Sequence, residues 1–296
     1  MTKTIIVDMK TIEKMRYFYS SSMVNTPPHA MFSAKCNGVT ITVYNSKKVL
    51  FQGENALYES SIWSKQEVEE TQSLGYYANC IGSDEVGKGD YFGPLIVCAT
   101  YVDESTIKFC KNLNIKDSKK ITDSEILNLG KILSKKVTFS LLKIDNMLYN
   151  NLWKQGLNVN EVLAKTHNKA ILNLIKKINL SPIAIIDEFA SLKNFKKYLI
   201  NDHIYENIKL ETKAEGKYLA VAISSILARY QFLNDIKEMS HVIGKKVPLG
   251  ASAKVDQFAA ELLTNMSEDE FKNYVKYSFK TTDKVKLIIK EKNNVN

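Results

Sequence analysis

The segment from Ile81 to Leu95 constrains this chain most, because it joins an apolar run to two adjacent carboxylates and a glycine-rich turn. Asp84 and Glu85 end the apolar run, the Gly-Lys-Gly turn at residues 87–89 follows, and the pattern predicts a strand over 95–102. Carboxylates bind divalent metal ions, and glycines let backbone amides approach a ligand closely. The segment therefore predicts a place where a metal ion meets a phosphate or a sugar.

Two nucleotide-binding motifs come near to this segment without fitting it. Residues 82–88 match most of a phosphate-binding P-loop, but Gly89 stands where that motif needs Ser or Thr to hold Mg²⁺. A dinucleotide-binding fingerprint needs G-x-G-x-x-G at the start of a helix, whereas here the glycine spacing differs and a strand follows. An acidic surface turn, which Gly and Asp commonly form, stays open as the alternative to a metal site.

The amino-acid composition limits which classes of protein this chain can belong to. The chain has 296 residues, enough for two domains, and its 45% of hydrophobic residues can form a substantial core. Its net charge of +9 favours polyanionic partners, nucleic acid above all, although lysines also simply solvate surfaces. No apolar run reaches the roughly 18 residues of a membrane span, and the start of the chain has no signal-peptide pattern.

The cysteines and histidines argue against a zinc site. Cys36, Cys80, Cys98 and Cys110 form no C-x-x-C pair, and the four histidines are scattered along the chain. Cys80 and Cys98 lie in apolar runs typical of strands, which predicts buried, reduced thiols. We therefore expect a reducing, cytoplasmic setting.

Two domains are predicted, residues 1–66 and 78–296, joined by a mostly polar linker over 67–77. In the first, residues 11–19 have a helical period, and two β-like runs between Gly38 and Gln52 predict a hairpin with Lys47 and Lys48 at its bend. Residues 1–66 contain eight Lys or Arg against four Asp or Glu, a balance of +4. Such a module is consistent with a nucleic-acid platform and equally with an ordinary α+β domain.

The second domain alternates strand and helix patterns. This alternation predicts an α/β domain with a mixed central sheet. The predicted strands are 78–83, 95–102, 137–144 and 182–187, and the predicted helices are 122–135, 159–178, 191–201, 216–236 and 256–264. Asn158 or Asn160 is the expected cap of the second of these helices.

Two more acidic residues fall where ligands gather in such sheets. Asp187 ends a short apolar run typical of a buried strand, although an Asp there also suits a helix cap. Glu188 would face the other way on a strand and is secondary. Glu215 lies near the start of a small-residue helix, where the helix dipole favours a negative group whatever its role.

Together, three segments each deliver acidic side chains to the end of a predicted strand or helix. Four carboxylates without histidine ligands suit Mg²⁺ or Mn²⁺ rather than Zn²⁺. In a two-metal site such ions activate water and stabilise the leaving oxygen of a phosphodiester. A basic protein with this set of acids is interpreted as a nuclease.

At these residues the chain resembles bacterial ribonuclease HIII, of the type 2 ribonuclease H group. Five blocks in the family's order carry the resemblance: Gly82–Leu95, Asp117–Ile121, Ile185–Ala190, Thr212–Arg229 and Pro248–Ser252. The hairpin from Tyr44 to Gly53 resembles part of the family's N-terminal domain, which folds like a TATA-box-binding protein. Ribonuclease HII carries Asp where this chain has Glu215, has Gly-Arg-Gly in place of Gly-Lys-Gly, and lacks the N-terminal domain.

The resemblance implies a ribonuclease H-like fold and an endonuclease that cuts the RNA strand of RNA/DNA hybrids. It implies a metal site made of Asp84, Glu85, Asp187 and Glu215, holding two Mg²⁺ or Mn²⁺ ions. The products would carry 5′-phosphate and 3′-hydroxyl ends.

Substrate contacts are expected from three places. The amides of Gly87, Lys88 and Gly89 would read the 2′-hydroxyl, with the Lys88 side chain on a phosphate. The N-terminal domain would grip the duplex through Lys47 and Lys48. The third place is a phosphate clamp of Asp117, Ser118, Lys119 and Lys120, for which a helix-capping turn stays the alternative.

Two rival functions stay open from the sequence. One is a non-catalytic protein that binds hybrids or duplexes, which explains the charge but not the converging acids. The other is a ribonuclease HII-like activity that incises at a single ribonucleotide embedded in DNA. We expect a monomer, with no membrane partner.

Overall fold

The computed structural model describes residues 2–63, 74–113, 115 and 121–295, the last three by backbone alone. The chain divides into two compact units, Met1–Ser73 and Leu74–Asn296. Most of the predicted linker lies outside the described residues, and its last part, 74–77, falls in the second unit. The predicted domain boundaries stay predictions.

The first unit is a five-stranded antiparallel sheet with two helices. The strands are β1 (Thr2–Ile6), β2 (Met23–Val24), β3 (Ala30–Cys36), β4 (Val39–Tyr44) and β5 (Lys48–Gly53), in the order β1-β5-β4-β3-β2, and the helices are α1 (Met9–Phe18) and α2 (Ala56–Trp63). The expected hairpin is present as β4 and β5, and Lys47 takes a left-handed φ of 63° at its turn. Both helices pack against the same face of the sheet and form one core with it. Neither of these two helices packs against the opposite face.

The second unit is built on a mixed sheet, as the sequence predicts. Its strands are β6 (Cys80–Val86), β7 (Leu95–Val102), β8 (Thr138–Ile144), β9 (Ile183–Asp187) and β10 (Ile208–Glu211), in the order β10-β9-β6-β7-β8. β6, β7 and β8 are antiparallel, whereas β9 is parallel to both β6 and β10. The sequence patterns did not predict β10, because four residues with only two apolar side chains leave little period to detect.

The helices of this unit are α3 (Glu104–Cys110), α4 (Asp123–Leu133), α5 (Asn146–Lys154), α6 (Val159–Ile178), α7 (Leu192–Tyr198), α8 (Leu219–Ile243), α9 (Ala253–Thr264), α10 (Glu268–Phe271) and α11 (Lys280–Val295). Asn158 caps α6 by accepting a hydrogen bond from the backbone N–H of Glu161. The helix predicted over 216–236 begins later and ends later, and a 3₁₀ turn at Ala214–Gly216 precedes it.

Helices cover both faces of the mixed sheet, because successive side chains of each strand point to opposite faces. Ile81 and Val97 pack with α6 and α7 on one side. Ile96 and Cys98 pack with α8 and α9 on the other. This alternation decides which helix each side chain at the end of β6 meets.

The backbone of α8 lies almost in contact with β6 at Gly82. A Cβ atom on Gly82 would come within 2.1 Å of the carbonyl carbon of Ala220, so no other residue fits without moving one element. The Ser224 hydroxyl donates to the Gly82 carbonyl oxygen at 2.9 Å, which fixes the register of the two elements. The small residues of α8 therefore serve close packing against the sheet.

The cysteines agree with the expected reduced state. All four are free, and Cys80, Cys98 and Cys110 are buried, where burial raises the pKa of each thiol. In the described part of the chain, no helix is both long enough and apolar enough to cross a membrane.

Replacement of Gly82 by Ala should strongly destabilise the second unit, because the new methyl group overlaps the α8 backbone. We expect a loss of about 3 kcal/mol or more in the free energy of unfolding, at the upper end of overpacking effects. Urea denaturation measures it. Gly216→Ala is the matched control, since a Cβ there meets no atom within 4 Å and should change stability little. Equal stability of the two variants would contradict the close approach of α8.

Candidate active site

Asp84 and Glu85 lie side by side near the end of β6 but face opposite sides of the sheet. Asp84 pairs with Cys98 and faces the α8 side, whereas Glu85 pairs with Val97 and faces the α6 side. Only 6% of Asp84 is exposed, and its Oδ1 accepts a hydrogen bond from the Glu85 backbone N–H at 2.7 Å. The two acids are therefore held by different layers of the fold.

Asp187 is the last residue of β9, the strand next to β6. Its Oδ1 accepts a hydrogen bond from the backbone N–H of Ala214 at 2.7 Å. Asp187 does not cap the following helix, because Ser191 takes that role for α7. Asp187 instead holds the start of the 3₁₀ turn that carries Glu215.

Glu215 lies in the 3₁₀ turn just before α8 and is 3% exposed. The hydroxyl of Ser225, about two turns into α8, donates to Glu215 Oε2 at 3.2 Å. Ser225 also hydrogen-bonds Asp84, and so contacts acids from two separate segments. Helix α8 thus aligns Glu215 with the end of β6.

The four acids share one electrostatic neighbourhood. Burial raises the pKa of Asp84 well above its ordinary value, and the negative charges of Glu85, Glu215 and Asp187 raise it further. The hydrogen bond from Ser225 opposes this rise in part. Repulsion among these carboxylates favours the uptake of a cation or of protons.

The donor set fits a divalent ion in charge and in ligand type. All four side chains offer oxygen ligands, which Mg²⁺ and Mn²⁺ prefer. Among the residues described, no three His, Cys, Asp or Glu side chains are already grouped as a metal shell. The acids are therefore near neighbours that a cation would draw together rather than a preformed cage.

His167 on α6 is a neighbour of the site that the sequence patterns did not single out. It is fully buried, and its Nε2 lies 3.2 Å from Glu85 Oε2. Its ring stacks on Phe189, two residues after Asp187, and the Lys88 ammonium lies 5.5 Å from the centre of the Phe189 ring. The available signal for His167 in the sequence is an isolated His on an otherwise apolar helix face. Its partner Glu85 is 82 residues away in the chain, so the local pattern does not reveal the contact.

The segment 87–93, hereafter the glycine loop, is fastened to two distant parts of the chain. The Asp90 carboxylate accepts from the Gly250 backbone N–H at 2.7 Å, within the predicted Pro248–Ser252 block. The Lys276 ammonium donates to the carbonyl oxygens of Asp90, at 2.9 Å, and of Gly93, at 2.5 Å. These three hydrogen bonds fix the loop to residues 250 and 276.

Other predicted substrate residues belong to the first unit or fall outside the described residues. Lys47 and Lys48 are exposed in the first unit, at the turn between β4 and β5. The predicted clamp of Asp117, Ser118, Lys119 and Lys120 lies outside the described residues. Glu188 lies beyond the end of β9 and accepts a hydrogen bond from the Thr212 hydroxyl at 2.5 Å, which agrees with its secondary place.

Comparison with known proteins places this arrangement in a family. The family model described as Ribonuclease HII matches residues 81–282, and a domain of unknown function (DUF3378) matches residues 3–74. A ribonuclease HIII of Bacillus velezensis is 38% identical over 97% of this chain and 98% of its own length. The chain belongs to the ribonuclease HIII family. Like its family, it is a ribonuclease H, a hydrolase of the nuclease class.

Further ribonuclease HIII proteins match over the same extent. One from Listeria monocytogenes is 40% identical over 97% of this chain and 98% of its own length. The crystal structure of Bst-RNase HIII in complex with Mn²⁺ aligns with a TM-score of 0.70 and 33% identity, over 98% of this chain and all of that one. These matches confirm the predicted family and the ribonuclease H-like fold, while the likeness of the N-terminal sheet to a TATA-box-binding protein stays a prediction.

The buried ammonium of Lys276 should make stability depend on pH. Burial lowers its pKa to about 7, against the opposing charge of Asp90. Between about pH 7 and the ordinary lysine value of about 10.4, the unfolded chain binds one proton more than the folded chain. The free energy of unfolding therefore rises with pH in this window, by up to about 1.4 kcal/mol per unit relative to Lys276→Met.

Urea denaturation of both proteins across this pH range measures the difference. Lys280→Met, which removes an exposed lysine nearby, is the control and should leave the slope as in the wild type. A wild-type slope equal to that of Lys276→Met would show that the buried ammonium does not lose its proton in the folded state.

Proposed function

We propose that this ribonuclease H hydrolyses the RNA strand of RNA/DNA hybrids as an endonuclease. The observation that carries the proposal is the shared electrostatic neighbourhood of Asp84, Glu85, Asp187 and Glu215 in a chain of the ribonuclease HIII family. Carboxylates would repel a phosphate backbone without a cation, so the set makes physical sense as a metal-dependent centre. Removal of RNA paired to DNA is a step of DNA replication and repair.

Asp84, Glu85, Asp187 and Glu215 would hold two Mg²⁺ or Mn²⁺ ions. When bound, such ions supply an activated water and stabilise the departing 3′ oxygen, so that products carry 5′-phosphate and 3′-hydroxyl ends. The Mn²⁺ complex of Bst-RNase HIII is consistent with this choice of ion.

The protein itself contributes orientation. The Ser225 hydroxyl donates to Glu215 Oε2 and lies within hydrogen-bonding reach of Asp84, so this one side chain limits where both carboxylates can point. The bond from Ala214 does the same for Asp187. Because these groups are buried or half-buried and partly oriented by the fold, only short side-chain movements would be needed to bring them onto the ions.

The glycine loop would read the 2′-hydroxyl, the group that distinguishes RNA from DNA. Gly87 is required by the fold, since its φ is 89° and a Cβ would come within 2.1 Å of the Pro94 carbonyl oxygen. Gly89 is exposed and a Cβ there meets no protein atom within 4 Å. The absence of a side chain at residue 89 therefore serves the approach of a ligand rather than the packing of the protein.

The sheet face of the first unit that turns away from its helical core would contact the duplex. Register places Thr40, Lys48, Leu50 and Gln52 on this face, and Lys48 and Gln52 are exposed. Lysines and hydrogen-bonding side chains on this face suit a sugar-phosphate backbone. Lys47 and Lys48 add positive charge at one edge of the face.

Two other functions compete with this proposal. The nearer one is cleavage at single ribonucleotides embedded in DNA, as in ribonuclease HII. The other is non-catalytic binding of hybrids, which is not an enzymatic function. The same end-labelled substrates, a full hybrid and a DNA duplex with one ribonucleotide, separate all three functions.

Asp84→Asn should abolish cleavage and keep binding, because Asn retains the shape but removes the charge that a cation needs. We expect at least about a thousandfold loss in rate, which corresponds to roughly 4 kcal/mol. Cleavage of an end-labelled hybrid with Mg²⁺, Mn²⁺ or EDTA measures it, and wild-type activity in the variant would remove Asp84 from the site.

The same Asp84→Asn protein serves to test the first unit by binding alone. Lys47→Ala with Lys48→Ala in this background should weaken hybrid binding and flatten its dependence on salt. Lys10→Ala with Lys14→Ala, which removes two exposed lysines from α1, is the control. Equal weakening by both pairs would assign the effect to net charge and not to the sheet face.

Gly89→Ala should leave the fold intact and impair cleavage. A methyl group at this exposed position keeps the substrate backbone away from the loop amides, and losing about one hydrogen bond corresponds to roughly a tenfold drop in kcat/KM. Thermal unfolding and hybrid cleavage are measured together with Gly87→Ala, which should instead lower stability. Full activity of Gly89→Ala would contradict the proposed reading of the 2′-hydroxyl.

A further inference from the structure

His167 occupies a position where the fold would accept an apolar side chain. It lies on the sheet-facing side of α6 among Leu163, Ala170 and Ile171, and it exposes none of its surface. Burial of an imidazole is unfavourable unless its nitrogens find hydrogen-bond partners. The residue is therefore retained for what its polar atoms and its ring contact.

Both ring nitrogens of His167 have partners on β6. Nδ1 lies 2.8 Å from the Ser83 hydroxyl, and Nε2 lies 3.2 Å from Glu85 Oε2. Ser83 and Glu85 are two residues apart on one strand and so point to the same face. The ring is thereby fixed at two points, and its Nε2–H can hold the Glu85 carboxylate in one orientation.

The face of the same ring has a second contact. His167 and Phe189 stack with ring centres 5.1 Å apart and planes 12° apart. The edge-to-face contact of Phe189 with Phe195, at 6.1 Å, holds Phe189 from another direction. The Lys88 ammonium then lies over the Phe189 ring, within the range of a cation–π interaction.

We propose that His167 is a positioning residue with two separable actions, one on Glu85 through Nε2 and one on Lys88 through the stack with Phe189. The first orients a carboxylate for a divalent ion, and the second orients an ammonium for a substrate phosphate. This inference rests on the proposed function of Glu85 and Lys88. One side chain of α6 would thus orient a residue in the ion-binding part of the site and a residue in the substrate-binding part.

Two substitutions separate the actions. His167→Phe keeps a ring to stack on Phe189 but loses the hydrogen bond to Glu85, while Ser83 keeps the Cys98 carbonyl oxygen, 3.0 Å away, as a partner. His167→Gln has an amide that reaches about as far as Nε2 and can still donate to Glu85, but it removes the ring. Circular dichroism and urea denaturation confirm that each variant is folded.

The readouts are Mn²⁺ binding to the free protein by calorimetry and the KM for an RNA/DNA hybrid at saturating Mn²⁺. For His167→Phe we expect Mn²⁺ affinity to fall about tenfold or more, as for groups that orient metal ligands in general, with KM changed less than about twofold. For His167→Gln we expect the reverse, a Mn²⁺ affinity within about threefold of the wild type and a KM raised several-fold.

Phe189→Leu is the third variant and keeps the proposal testable if a His167 variant does not fold. It retains His167 and its bond to Glu85 but removes the aromatic face beneath Lys88, so it should behave as His167→Gln does. Lys88→Ala alone should raise KM. When Lys88→Ala is already present, adding Phe189→Leu should not change KM further.

Equal changes of Mn²⁺ affinity and KM in His167→Phe and His167→Gln would overturn the proposal, since a merely structural histidine predicts no separation. Wild-type behaviour of Phe189→Leu would overturn its substrate half. If the wild-type protein binds Mn²⁺ but does not cut the hybrid, the proposed function fails, and the calorimetry still decides the role of His167 toward Glu85.

Discussion

The close contact between α8 and β6 at Gly82 is the constraint on which the rest of the second unit depends. Two elements at this separation leave no room for side chains between their backbones, so their relative position has almost no freedom. Asp84 lies two residues beyond Gly82 on the strand, and Glu215 lies just before the helix. Packing therefore sets the spacing of two acids before any ligand arrives.

Two cations on or next to α8 form ion pairs with acids outside the set of four. Lys217 pairs with Glu211, and Arg229 pairs with Asp123, so these cations are already engaged by acids outside the set of four. Asp84 in turn has three carboxylates in its neighbourhood, which raise its pKa beyond the effect of burial. The fold thus concentrates negative charge at the sheet end, and the divalent ions of the proposed function would reduce this repulsion.

Much of the fold could be predicted because its strands and long helices have clear periods, as α6 shows from its Asn158 cap to Ile178. Short or polar elements could not be predicted, because they show no clear hydrophobic period. Strand β10 has only four residues, and helix α11 is rich in lysine. The four acids could be proposed from the sequence because each lies near the end of a predicted strand or the start of a predicted helix. His167 could not be identified from the sequence, because nothing near it in the sequence indicates that Glu85 is its partner.

The way in which the glycine loop is supported limits when it can form during synthesis on the ribosome. Its ammonium support, Lys276, lies 186 residues after Asp90, and the bridge between Phe92 and Val275 spans a similar length of chain. A nascent chain cannot close these contacts until residues 275 and 276 have left the exit tunnel. The loop next to Asp84 and Glu85 therefore gains its support late in folding, after the strands that carry these acids have been synthesised.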